Sequence, residues 1–333
     1  MTSKIFVGCL LATAAFAQTT GVDGSFHFTS PQTPQSLQEA ATILRTVADI
    51  PQVSLDASSA TLTFHGPADK VAAGQWMLGE LDRPGGETAL HEYPMANGEV
   101  ARVNFMTNLQ TVQGMQELLT VLRTVADLQK IFNYSARQAI VLRGREGEIA
   151  FGEWILDQLN RPAQQKPDAT PPEYTITANP LPRSGNAARV NYLTNVTTPR
   201  GMQEMLTVLR TVGEIQKIFS YTNQHALVLR GNDTDIARAE WLIQNLDQQP
   251  GQQSAGTNVF NATTGDDVTR IFYVANATPQ GLQTAVTAIR TEAKVRRVFS
   301  TTAPSALVVR GTSDQVEAAA QIIAAGNGLA LLR

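Results

Sequence analysis

The sequence predicts an α+β protein of four tandem strand-helix-strand-strand-helix (βαββα) units joined by polar linkers. Three observations predict it. An arginine-threonine pair recurs as Arg45-Thr46, Arg123-Thr124, Arg210-Thr211 and Arg290-Thr291. Each arginine is followed 21 positions later by a glycine (Gly66, Gly144, Gly231, Gly311) and preceded by seven by a glutamine (Gln38, Gln116, Gln203, Gln283). The segment "MQELLTVLRTVADLQKIF" at 115 to 132 returns nearly unchanged as "MQEMLTVLRTVGEIQKIF" at 202 to 219, and repetition at this period signals a duplicated structural unit. The copies are spaced by 78, 87 and 80 positions (45 to 123, 123 to 210, 210 to 290), so length variation falls in the stretches between them, which are rich in Pro, Gly, Gln and Asn.

The second copy shows each element in order. "ARVNFM" (101 to 106) alternates apolar and polar residues as a half-buried strand does. From about Thr111 a helix places Met115, Leu118, Leu119, Leu122 and Val125 at helical spacing. "KIFNY" (130 to 134) and "AIVLRG" (139 to 144) read as a short hairpin, and a second helix carries Ile149, Gly152, Leu156 and Leu159 inward. Pro162 ends it, because proline cannot continue the hydrogen-bond ladder. The third and fourth copies repeat this plan; the first diverges most, with His65 where the later copies carry Arg143, Arg230 and Arg310. The expected boundaries are a leader at 1–17, units at 25–83, 101–161, 188–247 and 267–325, and linkers at 84–100, 162–187 and 248–266. "HEYPM" and "PEYTIT" read as extra strands ahead of copies two and three.

Composition limits the function classes. At 333 residues with 43% hydrophobic and 17% charged residues, the chain has the material for several small cores. Its formal net charge of −3 gives no electrostatic footprint for nucleic acid or an anionic membrane. The opening "MTSKIFVGCLLATAAFAQTT" combines one lysine, an apolar run and small residues at Ala15 and Ala17, the pattern of a secretory signal peptide cleaved after Ala17. A lipoprotein reading through Cys9 is disfavoured, since most of the apolar run follows that cysteine. No later stretch approaches the roughly 20 apolar residues of a membrane span. The expectation is a periplasmic or secreted protein whose mature form has no cysteine.

Tandem units of this kind, with "ALVLRGNDTDIARAEWLIQNLD" at 226 to 247 and the helix endings Leu81-Asp82, Leu159-Asn160 and Leu246-Asp247, resemble the periplasmic N-domains of secretins, the outer-membrane channels of type II and type III secretion and type IV pilus systems. The resemblance covers about residues 25 to 325. It implies small KH-like (NolW-like) α+β domains that pack side by side into rings and contact other secretion components. Secretins continue into a membrane β-barrel; a chain ending at Arg333 without such a region is expected to be not the channel but either a soluble accessory built from the same modules or an unrelated exported scaffold that uses them.

Two sets of residues stand out as candidate contact sites. A polar stripe repeats on the first helix of each unit: Gln38, Thr42 and Arg45; Gln116, Thr120 and Arg123; Gln203, Thr207 and Arg210; Gln283, Thr287 and Arg290. It is either a docking face, as arginine enrichment at interfaces suggests, or an internal device in which the arginine bonds free strand carbonyls. Trp76, Trp154 and Trp241 each lie ten positions after the repeat glycine, where the last copy has Gln321. Off the core stripe of its helix, each tryptophan is expected to pack on the linker or on the next unit, a partner the terminal repeat lacks.

No catalytic, cofactor or metal site is expected. The histidines His27, His65, His91 and His225 share no ligand spacing. Glu153, Asp157 and Glu240 sit on amphipathic helices, and "GREG" at 144 to 147 joins a strand to a helix, not the helix-to-helix loop of nucleic-acid-binding KH domains. Asn195-Val-Thr and Asn276-Ala-Thr match the glycosylation pattern, as short polar stretches often do. The expected function is a non-enzymatic exported scaffold or assembly component, partnered by proteins of a secretion or pilus system or by itself. The alternative is a periplasmic binding module for a glycan or peptide, with a concave surface lined by Phe132, Tyr134, Phe219, Tyr221 and Arg143.

Overall fold

A computed structural model describes residues 21–83, 91–109, 111–162, 170–177, 185–249, 252, 258–262, 265–275, 277–325 and 330–331. The leader expected at 1–17 lies outside them. The first unit runs β1 (Val22–His27), α1 (Pro34–Thr46), β2 (Gln52–Asp56), β3 (Thr61–Gly66) and α2 (Ala68–Asp82), with β3 central in an antiparallel sheet. The second comprises β4 (His91–Pro94), β5 (Glu99–Phe105), α3 (Val112–Thr124), β6 (Lys130–Tyr134), β7 (Ala139–Arg145) and α4 (Glu146–Leu159), in the sheet order β4-β5-β7-β6. The third repeats this order with β8 (Glu173–Thr175), β9 (Ala187–Tyr192), α5 (Pro199–Thr211), β10 (Lys217–Tyr221), β11 (Ala226–Gly231) and α6 (Asp233–Leu246). The fourth comprises β12 (Val259–Asn261), β13 (Val268–Ala275), α7 (Pro279–Thr291), β14 (Arg297–Thr302), β15 (Ser305–Gly311) and α8 (Ser313–Ala324); β16 (Ala330–Leu331) pairs with the end of β13. The fold is α+β, four βαββα units.

The same local chemistry builds each unit. Thr33, Thr111, Thr198 and Thr278 cap α1, α3, α5 and α7, each hydroxyl accepting a bond from a first-turn backbone N–H that the helix itself leaves free. The residue closing the second helix is a latch. The Asp82 carboxylate accepts from the backbone N–H and hydroxyl of both Thr29 and Ser30, at 2.5 to 3.0 Å. Asn160 accepts from Thr107 and Asn108, and Asp247 from Thr194, Asn195 and Val196. Burial would raise the Asp82 carboxyl, but these bonds outweigh it and hold the group below the ordinary carboxylate range. The Leu-Asp ending thus ties the second helix to the loop after the first strand.

Within the stretches expected to be linkers, the described residues include β4, β8 and β12, each at the edge of the following sheet, and successive units share apolar cores. The apolar cluster around α1 and α2 includes Met95, Ala101, Val103, Tyr134, Ala139 and Val141 of the second unit. The cluster of the second unit takes in Ala188, Val190, Tyr221, Ala226 and Val228 of the third, and that of the third takes in Ile271, Tyr273, Ala306 and Val308 of the fourth. Each unit therefore lays its helices on the free face of the next sheet: α1 packs on β6, α3 on β10 and α5 on β14. The result is one layered stack, sheet and helices alternating.

Strand composition follows from that stacking. β7 is buried from Ala139 to Gly144, with Ile140 and Leu142 in the cluster of its own helices and Ala139 and Val141 in the cluster of the first unit. β11 is buried throughout. β3 of the first unit alternates instead, Leu62 and Phe64 buried against exposed Thr63 and His65, because no described element covers its outer face. Val141→Ala is expected to lower stability by about 1–3 kcal/mol, and Thr63→Ala to change it by no more than about 0.5 kcal/mol. Urea denaturation of the two variants measures the contrast; equal effects would contradict two-sided burial.

Candidate functional site

The joints between units are the most elaborated polar sites among the described residues. After α1 the chain turns through Asp49, held at a left-handed φ of 56°; Asp127 (60°) and Glu214 (61°) occupy the same turn in the next two units. This turn sets an acid beside the carbonyls at the negative end of the helix, a socket for a cation. Arg143 fills it from β7. Its Nη1 donates to the Val47 carbonyl at 3.0 Å and to Asp49 at 3.0 Å, and it pairs at 2.6 Å with Glu99 of its own sheet. Arg230 donates likewise to the Val125 carbonyl (3.1 Å) and Asp127 (3.3 Å), and Arg310 to the Val212 carbonyl (3.0 Å) while pairing with Glu214 (3.2 Å). Lys130 and Lys217 bond the same acids, and Arg297 bonds Glu214 at 2.7 Å.

A second contact recurs on the other side of the helix. Glu39 accepts from the backbone N–H and hydroxyl of Ser135, both at 2.7 Å, in the turn that joins β6 to β7. Glu117 does the same with Thr222, and Glu204 with Thr302. A carboxylate satisfying an otherwise free turn N–H is a charge-assisted bond, stronger than a neutral one.

The tryptophans lie at the same joints. Trp76 sits 5.5 Å from Tyr93 on β4, Trp154 is 5.4 Å from Tyr174 on β8, and Trp241 is 5.8 Å from Phe260 on β12, measured between ring centroids. Each touches the leading strand of the following unit.

The three joints are not equal in charge. Arg143 has Asp49 and Glu99, and Arg310 has Glu214 and Asp267; the position of Glu99 and Asp267 is Asn186 in the third unit. Arg230 is left with Asp127 alone, and its Nη2 has no partner among the described residues although the side chain is 3% exposed. Burial accordingly lowers the Arg230 pKa, with only Asp127 opposing, whereas Asp267 and Glu214 outweigh burial and raise that of Arg310. Asp267 also holds Arg238 of the third unit at 3.1 Å.

Comparison with known proteins adds the following. No protein-family model and no curated protein matches the sequence. Among solved structures the chain is similar to Aeromonas hydrophila ExeD, at 16% identity over 70% of this chain and 42% of that one, TM-score 0.16. It is similar to the N-terminal domain of the secretin XcpQ from Pseudomonas aeruginosa, at 12% identity over 42% of this chain and 62% of that one, TM-score 0.19. It is also similar to the type II secretion system secretin GspD of E. coli K12, at 11% identity over 89% and 59%, TM-score 0.17. The chain spans less than two thirds of each of these three.

The expected sites fall as follows. Arg45, Arg123, Arg210 and Arg290 each donate to a carbonyl of their own unit's edge strand: Val53, Ile131, Ile218 and Val298, at 2.9 to 3.1 Å. Thr42, Thr120, Thr207 and Thr287 donate to the carbonyl one turn back, that of Gln38, Gln116, Gln203 and Gln283, and these glutamines stay exposed. The stripe runs along the flank, beside the joints and not in them. The concave ligand surface is corrected: Tyr134, Tyr221 and Arg143 are buried between units, with the Tyr134 hydroxyl donating to Gln32 Oε1 of the first unit, so they line no open surface. The joint acids went unrecognised in the sequence, although Asp49, Asp127 and Glu214 stand four positions after each repeat arginine. Among the described residues no three His, Cys, Asp or Glu side chains are grouped to hold a metal, and no helix is long and apolar enough to cross a membrane.

Three outcomes are expected. Asn186→Asp restores the missing acid beside Arg230 and stabilises the middle joint by about 1–2 kcal/mol in chemical denaturation. Trp154→Gln loosens the contact with β8, and limited proteolysis reads it as faster cutting within 162–187. Hydrogen bonds and neighbouring cations hold Asp49, Glu99 and Asp267 below their ordinary values despite burial. Depressed carboxyl pKa values contribute stability that is complete above the unfolded values and lost as pH falls through the folded ones. The denaturation midpoint is therefore expected to be level above about pH 5 and to fall steadily below about pH 4.

Proposed function

We propose that this chain is an exported, non-enzymatic scaffold that works through protein-protein contacts within a secretion or pilus assembly of the type II secretion or type IV pilus kind. One observation carries the reading: the repeated charged and aromatic side chains are used to join the units to one another, which builds a stack with the Gln-Thr-Arg stripe repeated along its flank. A regular series of like surfaces suits a partner that is itself repetitive, because several weak contacts on one body reinforce each other. The resemblance of the helix endings and strand-turn-helix pattern to secretin N-domains supplies the secretion context. The leader sequence supplies the periplasmic or secreted location.

The test is site-specific photo-cross-linking from Gln116, Gln203 and Gln283, which are exposed, in the living cell envelope, with the captured proteins identified by mass spectrometry. Secretion or pilus components are the expected products. A second reading, a binding module for a glycan or peptide, draws on an open groove of about 620 Å³ across the uncovered sheet face of the first unit, lined by Asp23, Ser25, Gln52, Ser54, Thr63 and His65. Absence of protein cross-links together with a rise in melting temperature on adding oligosaccharides or peptides would replace the scaffold by that reading.

A further inference from the structure

We propose that both ends of the stack are built to refuse a second copy of this chain. The joint used three times inside the molecule has a helix half and a sheet half, and in the unit that leaves either half uncovered that half has been dismantled residue by residue.

The helix half is altered in the fourth unit. The glutamate that bonds the next turn (Glu39, Glu117, Glu204) becomes Thr284, whose hydroxyl donates to its own Gln280 carbonyl at 3.0 Å. The acid of the socket (Asp49, Asp127, Glu214) becomes Lys294, in the same left-handed turn at φ 56°. Val47, Val125 and Val212, each fully buried, correspond to an exposed Glu292, and the tryptophan to Gln321.

The sheet half is altered in the first unit. The arginine that fills the socket becomes His65, which bonds Asp23 of its own sheet at 2.8 Å. The accompanying cation (Lys130, Lys217, Arg297) becomes Gln52. The hairpin turn, which elsewhere takes a carboxylate from the preceding unit, carries its own: Asp56 accepts from the Ser58 N–H and from the hydroxyls of Ser58 and Ser59 at 2.6 to 2.9 Å. Those bonds hold the Asp56 carboxyl at about 2, ionised and already satisfied.

Docking one copy's tail on another's head would set Lys294 in the cation socket against Gln52 and His65, where the acid at hand, Asp23, is already bonded to His65 at 2.8 Å. It would also bury Glu292 where three valines sit, and an ion buried without a partner is costly. These substitutions reverse, remove or introduce charge at homologous positions, and at those positions the inner units keep the residues of the joint. The inference concerns self-stacking and does not depend on the identity of any partner.

Two chains test it. One carries Thr284→Glu, Glu292→Val and Lys294→Asp, which reopens the tail; the other carries Gln52→Lys, Asp56→Tyr and His65→Arg, which reopens the head. Each retains one closed end, so neither can polymerise alone. Light scattering of the equimolar mixture is expected to show a complex of twice the mass of either chain alone, while wild-type chain shows no such doubling. If both variants melt cooperatively and still do not combine, the substitutions are not what closes the ends and the proposal fails. A second measurement does not depend on those variants folding: Ala57→Cys with Thr284→Cys in one otherwise wild-type chain places thiols where Ser135 and Glu39 meet internally. Oxidation is expected to leave this chain unlinked to its copies; a disulfide-linked ladder would overturn the proposal.

Discussion

The arginine that leaves each sheet and enters the end of the preceding helix is the interaction on which the rest of the arrangement depends. Arg143, Arg230 and Arg310 are nearly inaccessible to water, and a guanidinium keeps its charge when buried, so each must be met by acceptors on the other unit. The helix end supplies a carbonyl and the left-handed turn after it supplies an acid. This requirement is directional and geometrically narrow, whereas the apolar contact between helix layer and sheet is not. Apolar burial holds the layers together, and the arginine sets their register.

Much else in the chain can be understood as serving that contact. The left-handed turn is kept even where Glu214 and Lys294, poor residues for it, occupy the position. The strands that lead into the second to fourth units place Tyr93, Tyr174 and Phe260 against the tryptophans, bracing the joint at its edge. The middle joint departs from the others: Asn186 leaves Arg230 short of one acid, and Phe151, in contact with Trp154 and Tyr174, lies 5.8 Å from the Arg230 guanidinium. Aromatic contact there takes over part of what charge does at the neighbouring joints.

The unit itself was legible in the sequence, because the Gln-Arg-Thr-Gly spacing and the alternation of "ARVNFM" are local signals. The stacking was readable in one respect and hidden in another. Continuous apolar runs such as "AIVLRG" and "ALVLRG" mean burial on both faces, while the alternating "TLTFHG" of the first copy means burial on one; read together, they imply covered and uncovered sheets. The joint acids were harder to see. Glu117 against Thr284 looks like drift when positions are compared for constancy, and becomes informative only when the odd copy is seen to be the one whose helices no described sheet covers. The tryptophans stood out since a large aromatic off the core stripe needs a surface to cover. The acids gave no comparable signal, because a charged residue at a helix end needs no partner to be ordinary.

The repeat arginines bear on a different hazard. A strand at the rim of a sheet presents unpaired backbone groups on which another extended chain can template itself. In every unit one rim strand (β2, β6, β10 or β14) has a carbonyl already bonded by Arg45, Arg123, Arg210 or Arg290. An incoming peptide that sought to lengthen any one of these sheets there would have to displace the guanidinium from that carbonyl. Fibril-like growth from that side is therefore opposed by the same residue that marks the repeat.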